Sequence, residues 1–196
     1  MRLAELTKIR SGYTARGKLE PVPMGGRPAL QLRDVVAKGD ALTPDSQKYD
    51  LGKLADRFLV HGGEVVFRSR GELNIAAAIK DPLPEPAAVI VPLVIMRPDR
   101  AKLLPEYLAW AINQPEAQRT LDAEAQGTSI RMIPMAALEN LEIPVPDLPK
   151  QKRIIELDAL ARQEGQLLRQ LATLKEAFIT AILGEAAKTV DHKEIA

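Results

Sequence analysis

The chain has 196 residues, with 27 basic side chains against 26 acidic ones, so it is not a strongly basic polyanion-coating protein, and any affinity for nucleic acid must come from local clusters. Hydrophobic residues make up 46% and charged residues 27%, an ordinary balance for a soluble globular protein able to bury a core. No cysteine is present, which excludes disulfides and thiolate metal sites and favours a reducing compartment, so a cytoplasmic protein is expected.

The start, "MRLAELTKIR", has no apolar core of the signal-peptide kind. Residues 1–149 hold all 15 prolines and ten of the 12 glycines, with 19 basic and 19 acidic side chains; the remainder holds eight and seven. Short β-branched runs lie between these breakers and predict strands and turns. Between Glu5 and Glu20 the chain carries Lys8, Arg10, Arg16 and Lys18 with no acid among them, in a stretch read as a flexible polar loop around Ser11, Gly12, Tyr13, Thr14 and Gly17. Strands are predicted at 28–35 ("PALQLRDV"), 64–70 ("EVVFRSR"), 74–79 ("NIAAAI"), 88–96 ("AVIVPLVIM") and 141–146 ("LEIPVP"). The apolar run from Ala87 to Met96 contains a proline and is too short to span a bilayer, so no membrane partner is expected. Short helices are predicted from Pro105, Pro115 and Pro134; the first two have proline at the first turn and glutamate next.

Two further polar clusters fall on turns. Arg68, Ser69 and Arg70 leave a strand, Gly71 turns the chain, and Asn74 opens the next strand. Gln126, Thr128, Ser129 and Arg131 surround Gly127. Guanidinium forks and amides at the rim of a sheet are groups that grip phosphates and read base edges. The candidate DNA-binding residues are therefore Arg68, Ser69, Arg70 and Asn74, then Arg10, Arg16 and Lys18, then Thr128, Ser129 and Arg131. Solvated loop polarity is the bland alternative for each. Aromatic residues for stacking are few.

After the stiff joint "IPVPDLP" (143–149) comes the most regular segment. Leu157, Leu160, Glu164, Leu167, Leu171, Leu174, Phe178 and Ala181 follow at alternating steps of three and four, the seam of a coiled coil. A second stripe (Ala161, Gly165, Leu168, Ala172, Ile179, Ile182) is small or aliphatic. Asp147 is the expected N-cap, Pro149 lies in the first turn, and Gly184 is the expected stop. From Leu148 to Leu183 such a rod is about 50 Å long. Its seam must be covered, either by the rod's own globular part or by another chain.

The sequence carries no recognisable catalytic constellation. The two histidines, His61 and His192, are far apart in sequence, and no metal-ligand spacing, Walker loop or dinucleotide-binding glycine fingerprint occurs. His61 before Gly62–Gly63 reads as a turn residue. No metal or cofactor is expected, and catalysis by this chain alone is not.

The order of segments carries a resemblance. "GGEVVFRSRGELN", an aliphatic strand, the "PEYLAWAINQ" helix, then "GTSIRMIPMAALENLEIPVPDLPKQKRII" and a leucine-rich rod resemble the specificity subunit of type I restriction–modification enzymes over essentially the whole chain. The resemblance implies an α+β protein: a β-rich globular target-recognition domain (1–147), one long C-terminal coiled-coil helix (148–184) and a polar tail (185–196). It also implies a non-catalytic subunit that binds double-stranded DNA. Such a subunit docks a methyltransferase (modification) subunit that uses S-adenosylmethionine and, through it, a restriction subunit. A typical member has two recognition domains and two spacer helices, whereas this chain has one of each, like a half-subunit. The expected mate of the rod is then the same rod from a second copy, packed antiparallel. The expected interface is Leu157, Leu160, Leu167, Leu171, Leu174, Phe178 and Ala181. Such a homodimer reads an inverted repeat with an unread gap, and a ~50 Å rod caps the separation of centres at about 15 base pairs. Glu64 stands where the family often has aspartate and reads as a turn-fixing residue. A reading of another class is a coiled-coil adaptor whose β-rich head grips a protein; an enzyme comes third.

Overall fold

The computed structural model describes residues 1–35, 42–44, 47–71, 74–127 and 131–188. The backbone divides into two units, Met1–Ile155 and Glu156–Ala196.

The first unit is built in three layers. Its central sheet contains β1 (Thr7–Ser11), β5 (Val65–Arg68), β6 (Ala76–Ala78) and β8 (Leu93–Pro98) in the order β1-β8-β5-β6, every pair antiparallel. The second sheet contains β2 (Arg27–Leu30), β3 (Lys48–Tyr49), β4 (Leu59–Val60) and β7 (Ala87–Val89) in the order β3-β2-β7-β4, with β2 and β7 parallel. Helices α1 (Leu3–Leu6), α2 (Pro105–Ile112), α3 (Pro115–Ala123) and α4 (Met135–Asn140) form the third layer.

Side-chain alternation explains the layering. Successive residues of a strand point to opposite faces. Val65 and Phe67 of β5, Ala76 and Ala78 of β6, and Val94 and Met96 of β8 share one core with Tyr107, Leu108 and Ile112 of α2 and with Leu103 just before it. Val66, Ala77, Leu93 and Ile95 face the other way, into a core with Leu30, Val60, Ala87 and Val89. Strands β5, β6 and β8 are thus buried on both faces along most of their length and read as apolar runs, whereas the edge strand β1 alternates, with Lys8 and Arg10 exposed.

Side-chain amides and a phenol tie these layers to their connections. Asn113, just after α2, accepts from the Ala76 N–H at 2.9 Å and donates to its carbonyl at 2.8 Å, serving the β6 edge as a further strand would. The Tyr107 hydroxyl donates to the Pro144 carbonyl at 2.9 Å. Gln151 is fully buried: its oxygen accepts from the Leu104 N–H at 2.9 Å, and its amide donates to the carbonyls of Lys102 and Pro146 at 2.7 Å each. These bonds pin the first turn of the long helix α5 (Leu148–Lys188) to the residues before α2. Asp147 caps that helix, accepting from the Lys150 N–H at 2.9 Å, as expected of an aspartate ahead of a proline-containing first turn.

Several predicted elements need correction. The run 28–35 is a strand only to Leu30, and Leu32–Asp34 is a 3-10 turn closed by the Asp34 carboxylate on the Gln31 N–H at 2.7 Å. The run 88–96 is two strands in different sheets, β7 and β8, because Pro92 has no N–H to continue a ladder and the Leu93 N–H bonds back to Ile90 at 3.0 Å. Residues 141–146 form no strand: only Leu141 and Ile143 bond to the N-terminus, with a single bridge between Arg2 and Glu142, before Pro144 and Pro146 end the pairing. The stretch read as a loop after Glu5 begins as strand β1. The helix expected over "PEAQRTLDAEAQ" (115–126) ends at Ala123. The rod runs past Gly184 to Lys188, since a helical glycine costs only about 1 kcal/mol against alanine and the residues after it form helix readily.

The second unit, as far as it is described, is the remainder of α5. No described helix is long and apolar enough to cross a membrane. Most of the tail, 189–196, lies outside the described residues.

Candidate nucleic-acid interface

At one end of the central sheet β1 and β5 finish and β8 begins, and two of the predicted polar clusters meet there through the backbone. Ser69 accepts from the Ile133 N–H at 2.8 Å, the Gly71 N–H donates to the Arg131 carbonyl at 3.0 Å, and Met132 exchanges two bonds with Gln126 at 2.8 and 2.9 Å. Arg70, Met132 and Gln126 are thereby laid side by side. Gly71 makes the turn possible with φ +107°, a conformation other residues rarely adopt.

The start of the first cluster reaches the same end through the turn Ile90–Leu93. The Gly12 N–H donates to Leu93 at 2.9 Å and the Tyr13 N–H to Val89 at 2.7 Å, while the Ser69 hydroxyl donates to Pro92 at 2.6 Å. A Cβ on Gly12 would stand 2.6 Å from the Val89 carbonyl oxygen, so only glycine lets β1 leave so close to that turn.

The candidate side chains differ in what they are free to do. Ser69 and Asn74 are buried; the serine is spent on Pro92, and the Asn74 side-chain oxygen has no partner among the described residues. Arg68 is half-buried and donates to the carbonyls of Leu32 and Val35 at 3.4 Å and of Arg70 at 3.3 Å. Arg131 is exposed but bonded to Asp122, with a carboxylate oxygen at 3.9 Å and the carbonyl closer. Arg10, Arg16, Lys18 and Arg70 are exposed, and none of them has an ion-pair partner among the described residues. Thr128 and Ser129 lie outside the described residues. Arg33 lies in the 3-10 turn whose flanking carbonyls Arg68 grips, and donates to the Tyr49 hydroxyl at 2.9 Å; the strand expected over 28–35, which would include it, ends at Leu30.

Elsewhere polar groups serve the fold. Glu64 accepts from the His61 N–H at 3.0 Å and from Arg97 at 2.7 Å, which fixes the 61–64 turn as its sequence position implied. Arg97 also donates to the carbonyls of Asp56 and Leu59. Burial raises the pKa of Tyr107 above its ordinary value of 10.0. No group of His, Cys, Asp and Glu among the described residues is arranged to hold a metal ion.

The rod supplies the second candidate surface. Leu157, Leu160, Leu167, Leu171, Leu174 and Phe178 are between 48% and 67% exposed, and Ala181 is exposed as well. On the second stripe Leu168, Ile179 and Ile182 are also exposed. An apolar row of this length left in water is the mark of an association surface.

The described residues thus form a layered α+β head with exposed cations, and a long helix that carries an apolar stripe. The chain has the fold of type I restriction–modification specificity subunits. It matches a chain from a structural study of complex assembly and conformational transition of the type I R-M system, with a TM-score of 0.69 and 19% identity, over 92% of this chain and 42% of that one. The HsdS subunit of Thermoanaerobacter tengcongensis matches with a TM-score of 0.55 and 21% identity, over 90% and 38%. The type I S subunit of M. genitalium matches with a TM-score of 0.56 and 17% identity, over 90% and 41%. This chain therefore spans about two fifths of the length of each. No protein-family model and no curated protein matches the sequence.

Proposed function

We propose that the chain is a non-catalytic, sequence-specific DNA-binding specificity module of a type I restriction–modification system. The observation that carries this reading is the likeness to specificity subunits over at least 90% of this chain, head and rod together. Two copies joined antiparallel through the rod read the two halves of a split site, and together they approach the length of one such subunit. Arg70, Arg10, Arg16, Lys18, Arg131, Thr128 and Ser129 contact the DNA backbone or bases. Arg68, Ser69 and Asn74 shape the turn that presents Arg70. The dimer directs a methyltransferase subunit and, through it, a restriction subunit, acting as a soluble cytoplasmic protein.

Selection of bound duplexes from a random library tests this reading. The expected result is an enriched inverted repeat with an unread gap. Recovery of no enriched sequence would overturn it in favour of an adaptor whose head binds protein.

A further inference from the structure

One of the eight seam positions on α5 is charged, and its location decides how two rods can meet. Written as heptads, Leu157, Glu164, Leu171 and Phe178 occupy position a, and Leu160, Leu167, Leu174 and Ala181 occupy position d. A parallel, in-register pair would set Glu164 against its own copy, two like charges losing water inside an apolar seam. An antiparallel pair sets a against d, and one register fills the whole seam. Leu157 then meets the partner's Ala181, Leu160 the partner's Phe178, Glu164 the partner's Leu174, and Leu167 the partner's Leu171. Sliding by a heptad sets charged residues against the seam: Arg153 and Lys150 opposite Phe178 and Ala181, or Lys188 and Glu185 opposite Leu157 and Leu160.

In that register Lys175, at position e, lies on the same side of the interface as Glu164 of the other copy. The residue facing Lys175 is the partner's Ala161, whose methyl leaves the lysine stem room to cross toward the carboxylate. Neither Glu164 nor Lys175 has an ion-pair partner among the described residues of its own chain. We propose that Glu164 and the partner's Lys175 form a clasp, made twice per dimer, that fixes both the antiparallel orientation and the register of the rods. The proposal rests on the dimeric reading above and adds to it which residues meet.

The absence of cysteine makes single-cysteine variants of the full chain clean reporters. An equal mixture of Leu157→Cys and Ala181→Cys should give a disulfide-linked hetero-pair. Leu157→Cys alone should not, since in this register it lies about 36 Å along the rod from its own copy. Self-linking of Leu157→Cys, or no hetero-pair, would overturn the register. Light scattering of the unmodified chain separates the two levels: a monomer sinks the dimeric reading as well, whereas a dimer with the wrong cross-links sinks the register alone. For the clasp, Glu164→Lys or Lys175→Glu should each raise the dimer dissociation constant roughly tenfold, and the double exchange should restore it. A double variant as weak as the singles would remove the clasp.

Discussion

Arg68 and Arg70 are two residues apart and do different work. The Arg68 guanidinium is held by the carbonyls of Leu32, Val35 and Arg70, so its removal would loosen the turn and blur any binding measurement. Arg70 is exposed and can be removed with little cost to the fold. Arg70→Ala should weaken binding to a cognate duplex while leaving the urea midpoint unchanged. If Arg70 grips a phosphate, the slope of log affinity against log salt should fall by about one and all sequences should weaken alike; if it reads a base, the loss should be about 1–3 kcal/mol at one position of the site. Unchanged affinity would exclude it. The sequence marked this turn correctly, because arginines around a glycine between apolar runs are visible in one dimension. It did not show that Ser69 and Asn74 point inward, since burial depends on the turn 90–93 and on segment 131–133, which arrive from elsewhere in the chain.

At the scale of elements, helices with proline at the first turn and an apolar periodicity were readable, as was the Asp147 cap, because each depends on neighbours within one turn. Strands that change sheets were not. The division of 87–98 between two sheets follows from which partner strand each half meets, and β1 hides its pairing with β8 behind exposed Lys8 and Arg10. Side-chain bonds then join the elements, and Tyr107 makes one that can be titrated. Burial raises its pKa, so the folded state disfavours the phenolate. The stability this provides is complete below the unfolded value near 10 and is lost as pH rises through the higher folded value. Raising the pH above about 10 should lower the urea midpoint of the chain, and Tyr107→Phe should flatten that dependence while costing about 1 kcal/mol at neutral pH through the bond to Pro144. Fluorescence of Trp110, 5.3 Å from the Tyr107 ring, is a local probe of the transition. An identical alkaline profile in the variant would mean that another group governs it.

At the scale of the whole molecule, the proposed function makes a single copy half of a reader, with the exposed seam of α5 as the joint between two copies. A two-headed reader gains affinity by making its second contact intramolecular, commonly 10²–10⁴-fold over one head when the linker spans the sites. Leu171 sits near the middle of the seam, and in the proposed dimer Leu171→Glu adds a charge beside Leu167 of the opposing rod. The variant should be a monomer by light scattering with its head still folded. Its affinity for a duplex carrying one half-site should match that of the unmodified chain, while its affinity for a duplex carrying both halves should fall by about 10²-fold or more. Equal losses on both duplexes would place the damage in the head, and a dimer that survives the substitution would mean that the seam is not where two copies meet.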